Sequence, residues 1–180
     1  MKPGRHELGP ENAALQVKTY REGMASKAGH DLVLDVTGWQ ATVTAGEDSR
    51  LVSVELSADP RSIRVRDGHG GAKPLSDKDR GDIAKNIEGK VLGAQAIDFR
   101  STAVEQPAGD GRLQISGELR IAGTARPVSF DLGLGADGQV DATVPLKQSE
   151  WGIKPYSALM GALKVRDDVE VVLDARLPAG

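Results

Sequence analysis

From Arg112 to Ile121 the chain alternates without a break, with Leu113, Ile115, Gly117, Leu119 and Ile121 on one parity and charged or polar residues on the other. A period of two sends one set toward a core and the other toward water, which is the pattern of a half-buried strand. The same period returns at Val128, Phe130, Leu132 and Leu134, at Val140, Ala142, Val144 and Leu146, and at Val169, Val171, Leu173, Ala175 and Leu177. Further strands are expected around 13–20, 32–44, 50–58 and 96–105, the last with Ile97, Phe99, Ser101 and Ala103 on one face. That makes roughly eight, a number that suits a small closed barrel. The predicted fold is therefore all-β: one antiparallel, lipocalin-like, eight-stranded barrel domain over residues 1–180. Within 32–44 the parity changes, since Leu32, Leu34 and Val36 share one phase and Trp39, Ala41 and Val43 the other. A bulge or bend near Gly38 follows.

The connections point to a meander. Asp110-Gly111 and Asp137-Gly138 readily take the positive φ of tight hairpin turns, and Ala122-Gly123-Thr124 links the two hairpins. Between Arg66 and Lys90 the period changes. Asp67 to Gly71 reads as a loop, Ser76-Asp77-Lys78-Asp79 as a helix N-cap with acid in the first turn, and Ile83, Ile87 and Val91 recur every four residues. One short helix, about 76–91, is expected to pack across an opening or the outside of the barrel. Residues 149–165 hold Trp151, Tyr156, Leu159, Met160 and Leu163 among glycines and a proline. That segment is too apolar for an idle loop and reads as a lid.

Composition bears on what fills such a barrel. Two Phe, two Trp and two Tyr accompany 22 Gly, so the inward set is mainly Val, Leu, Ile, Ala and Gly. Only Phe99 and Phe130 are large on the predicted inner faces. Two interiors fit: a packed aliphatic core, or a partly unfilled one that stays dry and accepts hydrocarbon. In the second case Leu32, Leu34, Val54, Phe99, Leu119, Phe130 and Val144 would line the space, with Trp151, Tyr156 and Met160 covering it.

Charge and cysteine exclude several classes. Lys+Arg 23 against Asp+Glu 26 leaves a net charge of -3, which offers no basic field to nucleic acid or to an anionic membrane surface. No cysteine is present, so disulfides and thiolate chemistry are absent. Behind Lys2 and Arg5 no apolar stretch follows. A cytoplasmic location without integral membrane association is the expectation.

Candidate chemistry is sparse. His6, His30 and His69 lack a second ligand at i+2 or i+4, and no Gly-x-Ser-x-Gly occurs. The run Gly68-His69-Gly70-Gly71 is not followed at once by a helix, which favours a flexible loop over a phosphate cradle. Asp77 with Asp79, and Asp167 with Asp168, sit in polar contexts and read as solvated charge. No metal and no cofactor is expected. Three functions stay open: a carrier of an apolar molecule, an enzyme in a lipocalin-like shell using His30 and Asp31, and a packed barrel acting through a surface as a homodimer.

Three segments resemble the YceI-like family of lipid-binding barrels, often described as polyisoprenoid-binding. Gly117-Glu118-Leu119 through Gly123-Thr124-Ala125-Arg126-Pro127-Val128 is similar to the family's Gly-x-Leu-Thr-x-x-Gly-x-(Thr/Ser)-(Lys/Arg)-Pro-Val. Ile97-Asp98-Phe99-Arg100-Ser101 resembles its Ile-x-Phe-x-Ser, and Gln148-Ser149-Glu150-Trp151-Gly152-Ile153 its Arg-Ser-Asp-Phe-Gly-Ile. The likeness covers about residue 95 to the end; upstream, Ala28 to Leu32 and Trp39 fit more loosely. Many members carry a secretion signal, which is not expected here from the residues that follow Met1. The resemblance implies an elongated pocket for an isoprenoid or amphiphilic lipid and no enzymatic activity.

Overall fold

The computed structural model describes residues 2–106, 112–135 and 137–177. The first half of the chain supplies strands β1 (Gly4–Leu8), β2 (Ala13–Thr19), β3 (Arg21–Glu22), β4 (His30–Val36), β5 (Trp39–Ala45), β6 (Leu51–Ala58) and β7 (Ile63–Gly70), then helix α1 (Asp77–Asn86). The second half supplies β8 (Ile97–Glu105), β9 (Arg112–Ile121), β10 (Thr124–Leu134), β11 (Gln139–Lys147), β12 (Ser157–Ala158), β13 (Leu163–Val165) and β14 (Asp168–Arg176).

The main sheet runs β1-β5-β6-β8-β9-β10-β11-β14-β2-β4-β7, and its neighbours are antiparallel. Several of these strands are arms of one longer bent strand. β1 continues into β2, β4 into β5 across Thr37-Gly38, and β6 into β7 across residues 59–62. With each bent strand taken as one, eight strands follow one another up and down. The circuit closes where β2 pairs with β14, Leu15 opposite Leu173 and Val17 opposite Val171. The bend expected near Gly38 lies at the β4–β5 corner, where the Thr37 N–H and hydroxyl both donate to the Ser62 carbonyl, at 3.2 and 2.8 Å. Leu34 and Val36 are buried before it, and Trp39 and Ala41 after it, so the change of parity keeps both arms facing one core.

The turns refine the expected meander. Ala122 (φ +47°) and Gly123 (φ +81°) form a two-residue turn with Ile121 opposite Thr124, the type I′ geometry that matches strand twist. The segment read as a link between hairpins is thus itself a hairpin turn. Gly138 takes φ +84°, and the Gly135 N–H closes its loop on the Gln139 carbonyl at 2.8 Å. The proposed Asp110-Gly111 turn lies outside the described residues.

Three elements differ from expectation. β1 is an added strand whose side chains are mostly exposed apart from Leu8, so its apolar signal is weak. Asp67 to Gly70 continue β7 instead of looping, although glycine and charge obscure the alternation there. The lid contributes two short strands, β12 and β13, which pair with β3 in a small separate sheet.

The helix explains how β7 ends the sheet. Ser76 and Asp79 form a reciprocal capping box that starts α1 as the sequence implies. From its first turns the Arg80 guanidinium donates to the carbonyls of Val65 and Arg66 at 3.2 and 2.9 Å, covering edge groups that a neighbouring strand would otherwise take. A π-helical turn, Ile87–Leu92, extends α1 and ends at Gly93. Among the described residues no helix is long and apolar enough to cross a membrane.

Candidate ligand-binding cavity

The barrel's two ends are built differently. At one end Leu8, Leu51, Val140 and Leu177 close over the core, and only about 40 Å³ remains between them. Toward the other end lies a cavity of about 320 Å³. The connections there, residues 71–96 and 148–167, are the longest between strands of the barrel.

Alternation carries the strand residues into this space. Leu32, Leu34, Val54, Phe99, Leu119, Phe130 and Val144, singled out from parity alone, all line it. Phe99 and Phe130 meet edge-tilted, with ring centroids 5.5 Å apart and planes at 55°. Gly117 makes room for that pair: a Cβ there would fall 2.5 Å from both the Phe99 ring and the Arg100 carbonyl oxygen. Ser101 has a separate task. Its Oγ accepts from the Val54 N–H at 2.9 Å, beyond the point where the β6–β8 ladder ends at Glu55 and Arg100.

The lid supplies Trp151 and Tyr156, also expected. Trp151 sits on a 3₁₀ turn, Gln148–Trp151, ended by Gly152 at φ +72°. It is 2% exposed, and its indole N–H donates to the Leu119 carbonyl at 3.0 Å, fixing the ring beneath the lid. Met160 is a correction. It does not line the cavity and is fully exposed, because Leu159 and Met160 take φ of +51° and +54° in a bend that turns both side chains outward.

Sequence reasoning missed the wall made by the helix. Ile83, Ile87 and Val91 face the cavity, and their spacing of four was the available signal. Ile153, two residues beyond Trp151, also lines it.

The wall carries little polarity. Thr19, Asp59, Asn86, Gln148 and Tyr156 bring the polar side chains. Asp59 is engaged by Arg61 through two contacts of 3.0 Å, which holds its carboxyl below the usual carboxylate range, and Gln148 donates to the Arg166 carbonyl at 2.9 Å. The walls therefore offer contact area and no free charge.

Hydrogen bonds fasten the lid to the rim. The Ser149 hydroxyl and N–H both donate to Asp167, at 2.5 and 2.8 Å, and lower its carboxyl pKa in that order of effect. The Arg166 N–H donates to the Tyr20 carbonyl at 2.7 Å. The Tyr20 hydroxyl donates to Glu170 at 2.5 Å, a bond that raises the phenol's pKa together with some burial.

His30 and Asp31 lie outside the cavity wall. The His30 Nε2–H donates to the Lys73 carbonyl at 2.8 Å, and Asp31 accepts from the Arg21 N–H at 2.8 Å. They join β4 to β3 and to the loop that follows β7. Among the described residues no group of three or more His, Asp or Glu is placed to hold a metal ion.

The YceI-like domain family matches residues 12–177 of this chain. Among solved structures, BcnA of Burkholderia cenocepacia is similar with a TM-score of 0.65 and 17% identity, over 90% of this chain and 94% of BcnA. The YceI protein of Campylobacter jejuni gives 0.52 and 12%, over 82% of this chain and 85% of its own. At these identities the likeness is one of fold. A comparison with curated proteins finds no match.

Proposed function

The chain belongs to the YceI-like family, a family of binding proteins described as polyisoprenoid-binding, and from that premise we propose that its barrel holds a long isoprenoid-type or amphiphilic lipid and carries out no catalysis. The observation that carries this reading is the cavity of about 320 Å³ with aliphatic walls and no free charge. Its volume lies at the lower end of the range for small-molecule sites, about 300–1,000 Å³, and such a space favours hydrocarbon over water. The few polar side chains, Thr19, Gln148 and Tyr156 among them, stand toward the lid. An amphiphile would place its head group there and its chain toward Phe99 and Phe130.

Native mass spectrometry of gently purified protein tests the reading, with tryptophan fluorescence during titration with long prenyl alcohols. Trp39→Phe leaves Trp151 as the single reporter. A retained lipid mass and a saturable change at Trp151 are expected, and Val54→Glu, which places a charge on the cavity wall, should abolish both. A chain that always flies at its bare mass and shows no fluorescence response overturns the proposal.

A further inference from the structure

The outside of the mouth carries a surface that the cavity does not explain. Met24, Leu159 and Met160 are 97%, 61% and 106% exposed. They come from two turns joined by the bond from the Ala25 N–H to the Ala162 carbonyl at 2.8 Å, so far-apart residues form one apolar tip. Two successive non-glycine residues in left-handed conformation hold the Leu159-Met160 turn outward. That geometry is costly for L-residues and persists where the surroundings or a function require it.

Charge surrounds the tip unevenly. The segments 18–29 and 154–166, which form these turns and their flanks, contain Lys18, Arg21, Lys27, Lys154, Lys164 and Arg166 against Glu22, and the adjoining Asp31, Asp167, Asp168 and Glu170 bring the balance of the whole region to +1 in a chain of net -3. Lys27, Lys154 and Lys164 are exposed and form no ion pair among the described residues. Of the carboxylates that adjoin these segments, Asp31 pairs with Arg21 and Glu170 stands opposite Lys18, while Asp167 and Asp168 keep their charge.

An apolar tip flanked by exposed lysines that form no ion pair matches the two layers of an anionic bilayer, acyl chains beneath phosphate. We infer that the barrel docks mouth-first on an anionic membrane surface, with Met24 and Met160 entering the interface and Lys27, Lys154 and Lys164 against lipid phosphates. A reversible contact of this kind needs no transmembrane segment. The docking face lies outside the cavity and is independent of which apolar molecule the barrel holds.

Co-flotation with vesicles tests this. Wild-type protein should float with equimolar phosphatidylcholine and phosphatidylglycerol at low salt, and less with phosphatidylcholine alone or at high salt. Met24→Ser with Met160→Ser, and separately Lys154→Glu with Lys164→Glu, should each lower the bound fraction about tenfold or more. Both pairs should melt as wild type does and take up prenyl alcohol from solution unchanged, so failure here and failure of the lipid-binding reading remain distinct. Wild-type protein that does not float with anionic vesicles, or variants that float as well as wild type, overturns the inference.

Discussion

One set of strands builds a filled half and a hollow half. Along β9, Leu113 and Ile115 enter the packed end, where Ile115 has no exposed surface, while Leu119 on the same face borders the cavity. The alternation is identical on both sides of Gly117. What differs is the far side of the barrel. At the packed end Leu8 and Leu177 close over the core, with the Leu177 N–H bonded to the Gly138 carbonyl at 2.8 Å. At the hollow end the opposing walls are a helix and a lid that stand over the space without filling it. Strand parity thus decides which side chains face in, while distance across the barrel decides whether they meet.

Equal truncations in the two halves of the barrel should have unequal costs. Ile115→Ala should cost about 3–4 kcal/mol in a denaturant titration, since it removes a close-packed side chain with no room to collapse. Gly117→Ala, at the boundary, should cost about 2 kcal/mol, because its Cβ must displace the Phe99 ring or the Arg100 backbone. Near-UV circular dichroism should register the disturbed aromatic pair. Leu119→Ala should cost only about 1–2 kcal/mol, as its side chain already borders empty space and forfeits fewer contacts. Equal losses at Ile115 and Leu119 would show that the two halves are packed alike.

The smallest effect concerns the lid clasp. Ser149→Ala should cost about 1 kcal/mol or less, read most directly as faster amide exchange in the lid. Its pH signature has a definite sign. The Ser149 hydroxyl and N–H lower the Asp167 pKa in the folded state, so the clasp contributes fully above the ordinary carboxylate value and fades as pH falls through the lowered one. In an NMR titration, Ser149→Ala should move the Asp167 midpoint upward toward the ordinary value.

Much of this was legible in local pattern. The strands from β8 to β14 that form the barrel wall follow from a period of two, and α1 follows from its cap and its spacing of four. The bend at Gly38 was visible because a buried strand can change phase only by bending or bulging. β7 escaped notice for a physical reason. An edge strand covered by a helix satisfies its carbonyls through Arg80, and its last residues need no apolar alternation. Met160 was misread as a lid residue facing inward because composition reports that a segment is apolar, whereas two left-handed residues decide where it points.

By itself the sequence determined the barrel, its inner face and its helix, since periodicity and caps act over a few neighbouring residues. The tertiary structure decided that the interior is filled at one end and hollow at the other, which depends on separations between strands far apart in the chain. It also decided that Met24, Leu159 and Met160, far apart in the chain, stand exposed at the mouth beside lysines that form no ion pair among the described residues. A sum over residues carries no position, and only the fold gives each charge a place.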